Sequence, residues 1–242
     1  MEIKIGADPE VFLFDTKLNK YQSAAGFFPG TKKEPFKVAN GAIQVDGVAL
    51  EFNIDPASSE EEFVSNIKSV HKTLENMVHD VNPNWEIRHI PYVEFNEKDW
   101  EAVPTDAKQL GCDPDFNYTG NVNPNPADNI EYYARYNHLV PRTGSGHIHI
   151  GWSENENPES AFHFEDCRAC AEYFWRNSHQ KKFSSDLDYK RFNYYGNLGS
   201  FRSKPYGVEL RSPSNSWLKS ERSIREIYRE TKRVFDKFAS GA

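Results

Sequence analysis

The chain has 242 residues, 38% hydrophobic residues, three cysteines and a formal net charge of −7 at pH 7. No apolar run approaches the roughly 20 residues of a membrane helix, and three cysteines make no disulfide framework, so we expect a soluble, cytoplasmic protein with a single domain over residues 1–242. The acidic balance argues against a nucleic-acid partner, because such binding normally uses an excess of Lys and Arg on one face.

The first part of the chain predicts strands around one amphipathic helix. Residues 3–14 and 43–54 alternate like strands, with a hairpin between them. Ser59 and Glu62 have capping-box spacing, and apolar residues from Phe63 to Met77 then recur at steps of three and four. This spacing predicts a helix that begins after Ser59, and residues 85–95 predict a returning strand.

The second part begins with a long polar segment, residues 96–137, which reads as irregular; loops of this length are usually functional or disordered. Residues 147–152 alternate like a strand, residues 164–175 are helical, residues 208–210 are the middle of a short strand, and residues 224–238 form a closing helix. Strands and helices are interspersed without regular βαβ spacing. We therefore predict an α+β fold with a curved, mainly antiparallel sheet and helices on one face.

Four of the predicted strands each carry two polar residues two positions apart, whose side chains point to the same face of a strand. The pairs are Asp8 and Glu10, Glu51 and Asn53, His147 and His149, and Glu209 and Arg211. A solvated sheet face would give the same alternation for any single pair. Carboxylates, imidazoles and a guanidinium together suit a site for phosphate and a divalent cation, and their carboxylate content favours Mg²⁺ or Mn²⁺ over zinc.

The segments that carry these pairs resemble motifs of the glutamine synthetase and glutamate–cysteine ligase superfamily. Residues 6–15 are similar to its acid-proline-acid strand, residues 143–149 to its glycine-rich segment ending in His-x-His, and residues 207–213 to its Glu-x-Arg-x-Pro strand. Residues 46–53 lie where the family places another metal-binding glutamate. The Gly-Cys-Asp-Pro-Asp stretch at residues 111–115 resembles the short phage-type carboxylate–amine ligases, called type 2.

The resemblance implies a glutamine synthetase-like catalytic domain that uses ATP and Mg²⁺, or Mn²⁺, to activate a carboxylate as an acyl phosphate. An amine then forms the amide, with release of ADP and phosphate. The substrates implied are a small-molecule or peptide carboxylate and an amine, in the host cytoplasm if a phage encodes the protein. The implied metal ligands are Asp8, Glu10, Glu51, His147 and Glu209. The implied cofactor-binding residues are Arg202, Lys204 and Arg211.

Three residues are implied to be catalytic. Arg211 would hold the transferred phosphoryl group, His149 would lie near the carboxylate substrate, and Glu51 would act as a metal-binding carboxylate. Three departures from the family pattern are expected: Asp8 replaces a glutamate, the His-x-His segment is one residue shorter between glycine and histidine, and a separate small domain before the first motif is lacking. The ammonia site and the ring-shaped oligomer of glutamine synthetase are not implied.

Two other functions stay open at this point. A metal-dependent hydrolase also uses His-x-His with carboxylates, but it turns over without nucleotide. A catalytically silent binding module would keep the same fold.

Cys167 and Cys170 form a Cys-x-x-Cys in a predicted helix, which favours buried helix cysteines over zinc. Cys112 fits a turn-forming role and a substrate-contacting role equally well.

Overall fold

The computed structural model describes residues 3–108, 115–124, 126–178 and 185–241, so Cys112 lies outside the described residues. The strands are β1 (Lys4–Asp15), β2 (Lys20–Gln22), β3 (Phe36–Val38), β4 (Gly41–Asp46), β5 (Ala49–Ile54), β6 (Trp85–Arg88), β7 (Tyr92–Asn96), β8 (Leu139–Thr143), β9 (Gly146–Gly151), β10 (Phe201–Lys204) and β11 (Gly207–Leu210). The helices are α1 (Glu60–Val81), α2 (Glu97–Glu101), α3 (Pro126–Asn137), α4 (Ala161–Asn177), α5 (Asp186–Phe192) and α6 (Glu221–Ala239). None of these helices, in the described ranges, is long and apolar enough to cross a membrane.

The main sheet is open and its strand order is β10-β11-β9-β1-β5-β4-β3, with antiparallel neighbours throughout. The long strand β1 lies near its middle. The first part of β1 pairs with β5 and β9, and its last residues pair instead with β2 and β6. Strands β7 and β8 form a separate two-stranded sheet. The predicted α+β class and the mainly antiparallel sheet are therefore confirmed.

The apolar side chains of the central strands pack against the long helices α1, α4 and α6 in one core. This core takes every second residue of each strand: Ile5, Val11, Leu13, Leu50, Phe52, Ile148, Ile150, Val208 and Leu210. The other face of β1 carries Phe12, which packs with Val93 and Phe95 of β7 in a smaller core. The period-2 alternation thus gives the sheet one face covered by the long helices and one face that is polar between β1, β5, β9 and β11.

Helix α1 begins where the capping residues predict. The Ser59 side chain accepts a hydrogen bond from the Glu62 backbone N–H at 3.2 Å, and Glu62 in turn accepts one from the Ser58 N–H at 2.8 Å. The reciprocal bond is therefore displaced by one residue from a standard capping box. The predicted helix is confirmed, with the N-cap at Ser59.

The two cysteines of α4 are buried, as the helical prediction favoured. The Cys167 thiol donates a hydrogen bond to the Gly207 carbonyl at 3.2 Å, and burial raises the pKa of this thiol to about 12. Burial also raises the pKa of Cys170. No cysteine belongs to a candidate metal-ligand group among the described residues. Both side chains serve the packing of α4 against the sheet.

Three segment predictions were wrong. Residues 43–54 form two strands, because Gly47 adopts a φ of 58° and closes an Asp-Gly hairpin between β4 and β5. Residues 85–95 likewise divide into β6 and β7. The segment 96–137 is not uniformly irregular, since it contains α2, a 3₁₀ helix (Thr105–Lys108) and α3, which begins at Pro126. Proline suits the first position of a helix, so the Asn/Pro cluster precedes a helix there.

Candidate functional site

A cavity of about 420 Å³ lies on the polar face of the main sheet. The polar residues that line it are Asp8, Glu10, Gln44, Asp46, Glu51, Asn53, Arg142, Ser145, His147, Tyr195, Arg202, Lys204, Glu209 and Arg211. The structure therefore brings together every member of the four polar pairs except His149. Glu209 is 1% exposed and His147 is 6% exposed, so these two residues do not lie on a solvated sheet face.

The strand register explains why these residues meet. Asp8 lies opposite His147 across β1 and β9, and Glu10 lies opposite Glu51 across β1 and β5. Side chains directly opposite on antiparallel strands have Cβ atoms about 5 Å apart. Each cross-strand pair therefore joins potential cation ligands from two different sequence motifs.

One group of ligand atoms, here called the histidine cluster, comprises Asp8, His147 and Glu209. One ligand atom from each of the three lies within 4.8 Å of the others. His147 Nδ1 is 3.3 Å from Asp8 Oδ1 and 3.5 Å from Glu209 Oε1. An imidazole between two carboxylates is a donor set that a divalent cation can share with substrate oxygens.

The buried oxygens of this cluster have unused acceptor capacity. Asp8 Oδ1 and Glu209 Oε2 accept no hydrogen bond in the described part of the chain. Nitrogen atoms are nevertheless close, since His149 Nε2 lies 3.0 Å from Asp8 Oδ1 and Lys204 Nζ lies 2.9 Å from Glu209 Oε2. These contacts are ion pairs without hydrogen-bond geometry. Buried lone pairs left in this way fit a metal ion, which would satisfy them.

A second group, here called the acidic cluster, comprises Glu10, Asp46 and Glu51, again with ligand atoms within 4.8 Å. The Ser145 N–H donates to Glu10 Oε2 at 2.7 Å. Burial raises the pKa of Glu51 well above its usual value, and the like charges of Asp8, Asp46 and Glu10 raise it further. Three adjacent carboxylates with this electrostatic penalty fit a hard divalent cation.

We expect Mg²⁺ binding to the acidic cluster to release protons, because burial and the Asp46 carboxylate also raise the pKa of Glu10. The cation binds the ionised carboxylates, so its apparent affinity should rise as the pH rises through the raised pKa values of Glu10 and Glu51. Calorimetry in two buffers of different ionisation enthalpy, at about pH 5 to 7, measures the protons released. Binding with no proton release and no pH dependence would contradict this electrostatic description.

Three cationic side chains surround Glu209. Lys204 Nζ lies 2.9 Å and Arg202 Nη1 lies 3.6 Å from its Oε2 atom, while Arg211 donates to Oε1. Burial opposes ionisation of Glu209, but the Arg211 guanidinium together with the His147 and His149 imidazoles outweighs burial and holds the pKa of this carboxyl below its usual range. Guanidinium and ammonium groups beside the histidine cluster make this end of the cavity suited to phosphate.

Arg211 is engaged on all sides by described residues. Its Nε donates to Asp115 Oδ2 at 3.0 Å, and its two terminal nitrogens donate to Glu209 and to the Tyr195 hydroxyl. Asp115 is the last residue of the Gly-Cys-Asp-Pro-Asp stretch. Asp115 therefore contacts the site and orients the guanidinium.

His149 does not line the cavity that holds the other seven residues of the polar pairs. It lines an adjoining cavity of about 650 Å³, whose other walls include Ile54, Trp152 and Tyr206. Its Nε2 contacts Asp8, and Asp8 and Asn53 line both cavities, so the two cavities meet at these residues. Burial opposes protonation of His149, but the Asp8 carboxylate reverses this effect and raises the pKa of the imidazole.

Several residues of the site were missed by the sequence prediction. Asp46 lies two positions after Gln44 on β4, which is the same spacing as in the four pairs, but the single-strand interpretation of residues 43–54 hid this signal. Arg142 and Tyr195 carried no motif signal. Arg191, from α5, is fully buried behind the site and donates to the carbonyls of Arg211 and Ser212 at 3.1 and 2.9 Å. It fixes the segment that follows β11.

A comparison with models of known protein families finds no match for this chain, and a comparison with curated proteins finds no similar sequence. The superfamily resemblance of the motifs therefore stays a prediction. The chemistry of the two clusters and of the surrounding cations is the basis for assigning a function.

Proposed function

We propose that this protein is an ATP- and Mg²⁺-dependent carboxylate–amine ligase with a glutamine synthetase-like catalytic domain. The observation that carries the proposal is the position of the histidine cluster and the acidic cluster in one cavity, with Arg202, Lys204 and Arg211 beside Glu209. Two cation sites with adjacent phosphate-binding groups suit phosphoryl transfer, in which positioning and charge neutralisation do most of the catalytic work.

Nucleotide binding is best supported across the two cavities. The adjoining cavity has a mainly apolar lining that includes Trp152 and Tyr206, and aromatic side chains suit an adenine base. From there a polyphosphate would reach Asp8 and the histidine cluster, with Lys204 and Arg202 on its other side. Mg²⁺ bound by Asp8, His147 and Glu209 would neutralise phosphate charge.

The reaction we propose has two steps. A substrate carboxylate oxygen attacks the γ-phosphorus of ATP, so that a P–O bond forms and the bond to ADP breaks. The amine nitrogen then attacks the carbonyl carbon of the acyl phosphate, inorganic phosphate leaves, and the nitrogen loses a proton. Arg211 would stabilise charge on the transferred phosphoryl oxygens in the first step, and Glu10, Asp46 and Glu51 would hold a cation that helps to position the carboxylate.

The decisive experiment is a screen of carboxylate and amine pairs for ADP release, with the amide product identified by mass spectrometry. A ligase releases ADP only when both substrates are present, and Glu209→Gln provides a control that lacks the buried carboxylate of the histidine cluster. Turnover of an amide or ester without nucleotide would instead identify a two-metal hydrolase, which the paired clusters also fit. If the protein shows neither activity but still binds ligands, it is a binding module.

ATP binding should depend on the divalent cation. The two clusters place carboxylates on the cavity wall, so a polyphosphate would meet like charge unless Mg²⁺ or Mn²⁺ is bound first. We expect calorimetry to show at least about 10-fold weaker ATP binding in excess chelator, a loss of about 1.4 kcal/mol. Equal ATP affinity with and without chelator would contradict the proposed metal sites.

A further inference from the structure

Arg142 on β8 lines the same cavity but lies at a different end from the cations around Glu209. Its electrostatic neighbours are Glu10 and Asp46 of the acidic cluster, whose carboxylates counter the lowering of its pKa by burial. Apolar side chains of Phe12, Ala49 and Ile130 line the cavity as well. These three residues belong to the smaller core, and the Trp100 ring that Arg142 contacts packs against the same core. The guanidinium therefore lies beside a short apolar wall.

The Arg142 guanidinium donates no hydrogen bond and forms no ion pair within 4.0 Å with any residue in the described ranges. Glu10 and Asp46 therefore act on Arg142 only from a distance, and a half-buried guanidinium without a hydrogen-bonded anion is costly, whereas the cations at Glu209 are all engaged. The surroundings nevertheless restrict the position of this guanidinium. Its Cζ lies 5.8 Å from the ring centroid of Trp100, and a Cβ atom at Gly47 would lie only 2.7 Å from its Nη2.

We propose that Arg142 binds a carboxylate of the substrate that is not the reacting carboxylate. A planar guanidinium gives two parallel hydrogen bonds to a carboxylate, and this one is oriented before the ligand arrives. The inference rests on the proposed function, because phosphate is assigned there to the cations around Glu209 and leaves Arg142 for a second anion. A cation at the acidic cluster would neutralise part of the charge of Glu10 and Asp46, so that these carboxylates would compete less with a ligand carboxylate for Arg142.

The substrate class that fits is a carboxylate on a short aliphatic chain, which the apolar wall would contact. Such a group has two sources. It belongs to the acyl donor if the donor is a dicarboxylate, and to the amine if the amine is an amino acid. Both sources present the same chemistry to Arg142, so matched probes are needed to separate them.

The test is calorimetric binding in the presence of Mg²⁺, which does not require turnover. The probes for the acyl donor are the straight-chain dicarboxylates from malonate to adipate, each paired with its monoamide. The probes for the amine are glycine and L-alanine, each paired with its amide. We expect the wild-type protein to bind the carboxylate member of at least one pair about 10-fold more tightly, the value of one charge-assisted contact.

Arg142→Gln should remove this preference, and Arg142→Lys should retain part of it because the charge remains without the bidentate geometry. Arg88→Gln is the matched control. Arg88 also stacks on an aromatic ring, 4.8 Å from the Phe14 centroid, but it pairs with Glu86 and does not line the cavity. If Arg142→Gln does not fold, the carboxylate preference of Arg142→Lys is compared with that of the wild type instead.

The proposal is overturned if the wild-type protein discriminates no pair, or if Arg142→Gln discriminates as well as the wild type. This outcome is independent of the ligase assay. Carboxylate discrimination without ADP release from any substrate pair would reject the ligase and keep the carboxylate site. ADP release that changes neither with substitution of Arg142 nor with removal of the second carboxylate would keep the ligase and reject the carboxylate site.

Discussion

Glu51→Gln is expected to lower Mg²⁺-dependent ADP release on the order of 10²-fold or more without destabilising the metal-free protein. Residues that only support a metal ligand already cost 10- to 100-fold when replaced, and Glu51 would be a ligand itself. Glutamine keeps the shape of the side chain and removes the charge. The activity is measured as ADP release at saturating Mg²⁺, once a substrate pair is known.

The unchanged or increased stability follows from the raised pKa of Glu51. A carboxyl whose pKa is higher in the folded than in the unfolded chain stabilises the fold when protonated, and this contribution is lost as the pH rises through the raised pKa. The metal-free wild type should therefore lose stability as the pH rises through the raised pKa of Glu51, and Glu51→Gln should lose less. Mg²⁺ should raise the Tm of the wild type more than that of the variant.

Glu60→Gln is the matched control for this prediction. Glu60 begins α1 and is paired with Arg225 and Arg229, and these two guanidinium groups contribute to holding its pKa below the usual value. Its neutralisation should lower the stability slightly at neutral pH and leave ADP release unchanged. Full activity of Glu51→Gln, or a loss of several kcal/mol in its metal-free stability, would remove Glu51 from the proposed metal site.

Arg211→Lys is expected to lower the turnover rate on the order of 10²-fold, the usual scale for losing one preorganised transition-state donor. The guanidinium reaches Asp115, Glu209 and the Tyr195 hydroxyl at once, and a lysine ammonium cannot reproduce this planar arrangement. The charge remains, so both buried carboxylates stay compensated and the protein should fold. ATP affinity should change less than turnover, because Lys204 and Arg202 remain.

A purely structural role for Arg211 predicts a different result. The substitution would then cost about 1 kcal/mol of stability for each hydrogen bond lost and leave the turnover of folded protein unchanged. Arg222→Lys is the control, since Arg222 is an exposed arginine of α6 that pairs only with Glu226 among the described residues. The ratio of the turnover number to the folded fraction, determined by thermal unfolding, separates the two roles.

The local elements follow from the sequence alone. The steps of three and four after Ser59 predict α1, and the alternation of residues 147–152 and 208–210 predicts β9 and β11, because helix and strand periods are properties of the backbone itself. The same period explains why the two members of a pair such as Glu209 and Arg211 share a face. For these elements no distant part of the chain is needed.

The composition of the site was decided by the tertiary structure. Strand register separates the ligands into a histidine cluster and an acidic cluster, and it adds Asp46 from a strand that the sequence did not distinguish. It also places His149 in the adjoining cavity, although His149 has the same spacing as the other pairs. Register depends on pairing between residues far apart in the chain, which a period of two cannot specify.

Arg142 is the clearest example of a site residue that the sequence pattern could not specify. Neither its neighbours in sequence nor its position on β8 indicates a binding role, because the proposed role depends on Arg142 forming no ion pair within 4.0 Å in the described part of the chain. The sequence determined which strands carry polar faces and which helices cover the apolar ones. Only the packed structure decided which charges meet, which are compensated, and which guanidinium is left facing the cavity, because electrostatic interactions depend on distance and burial.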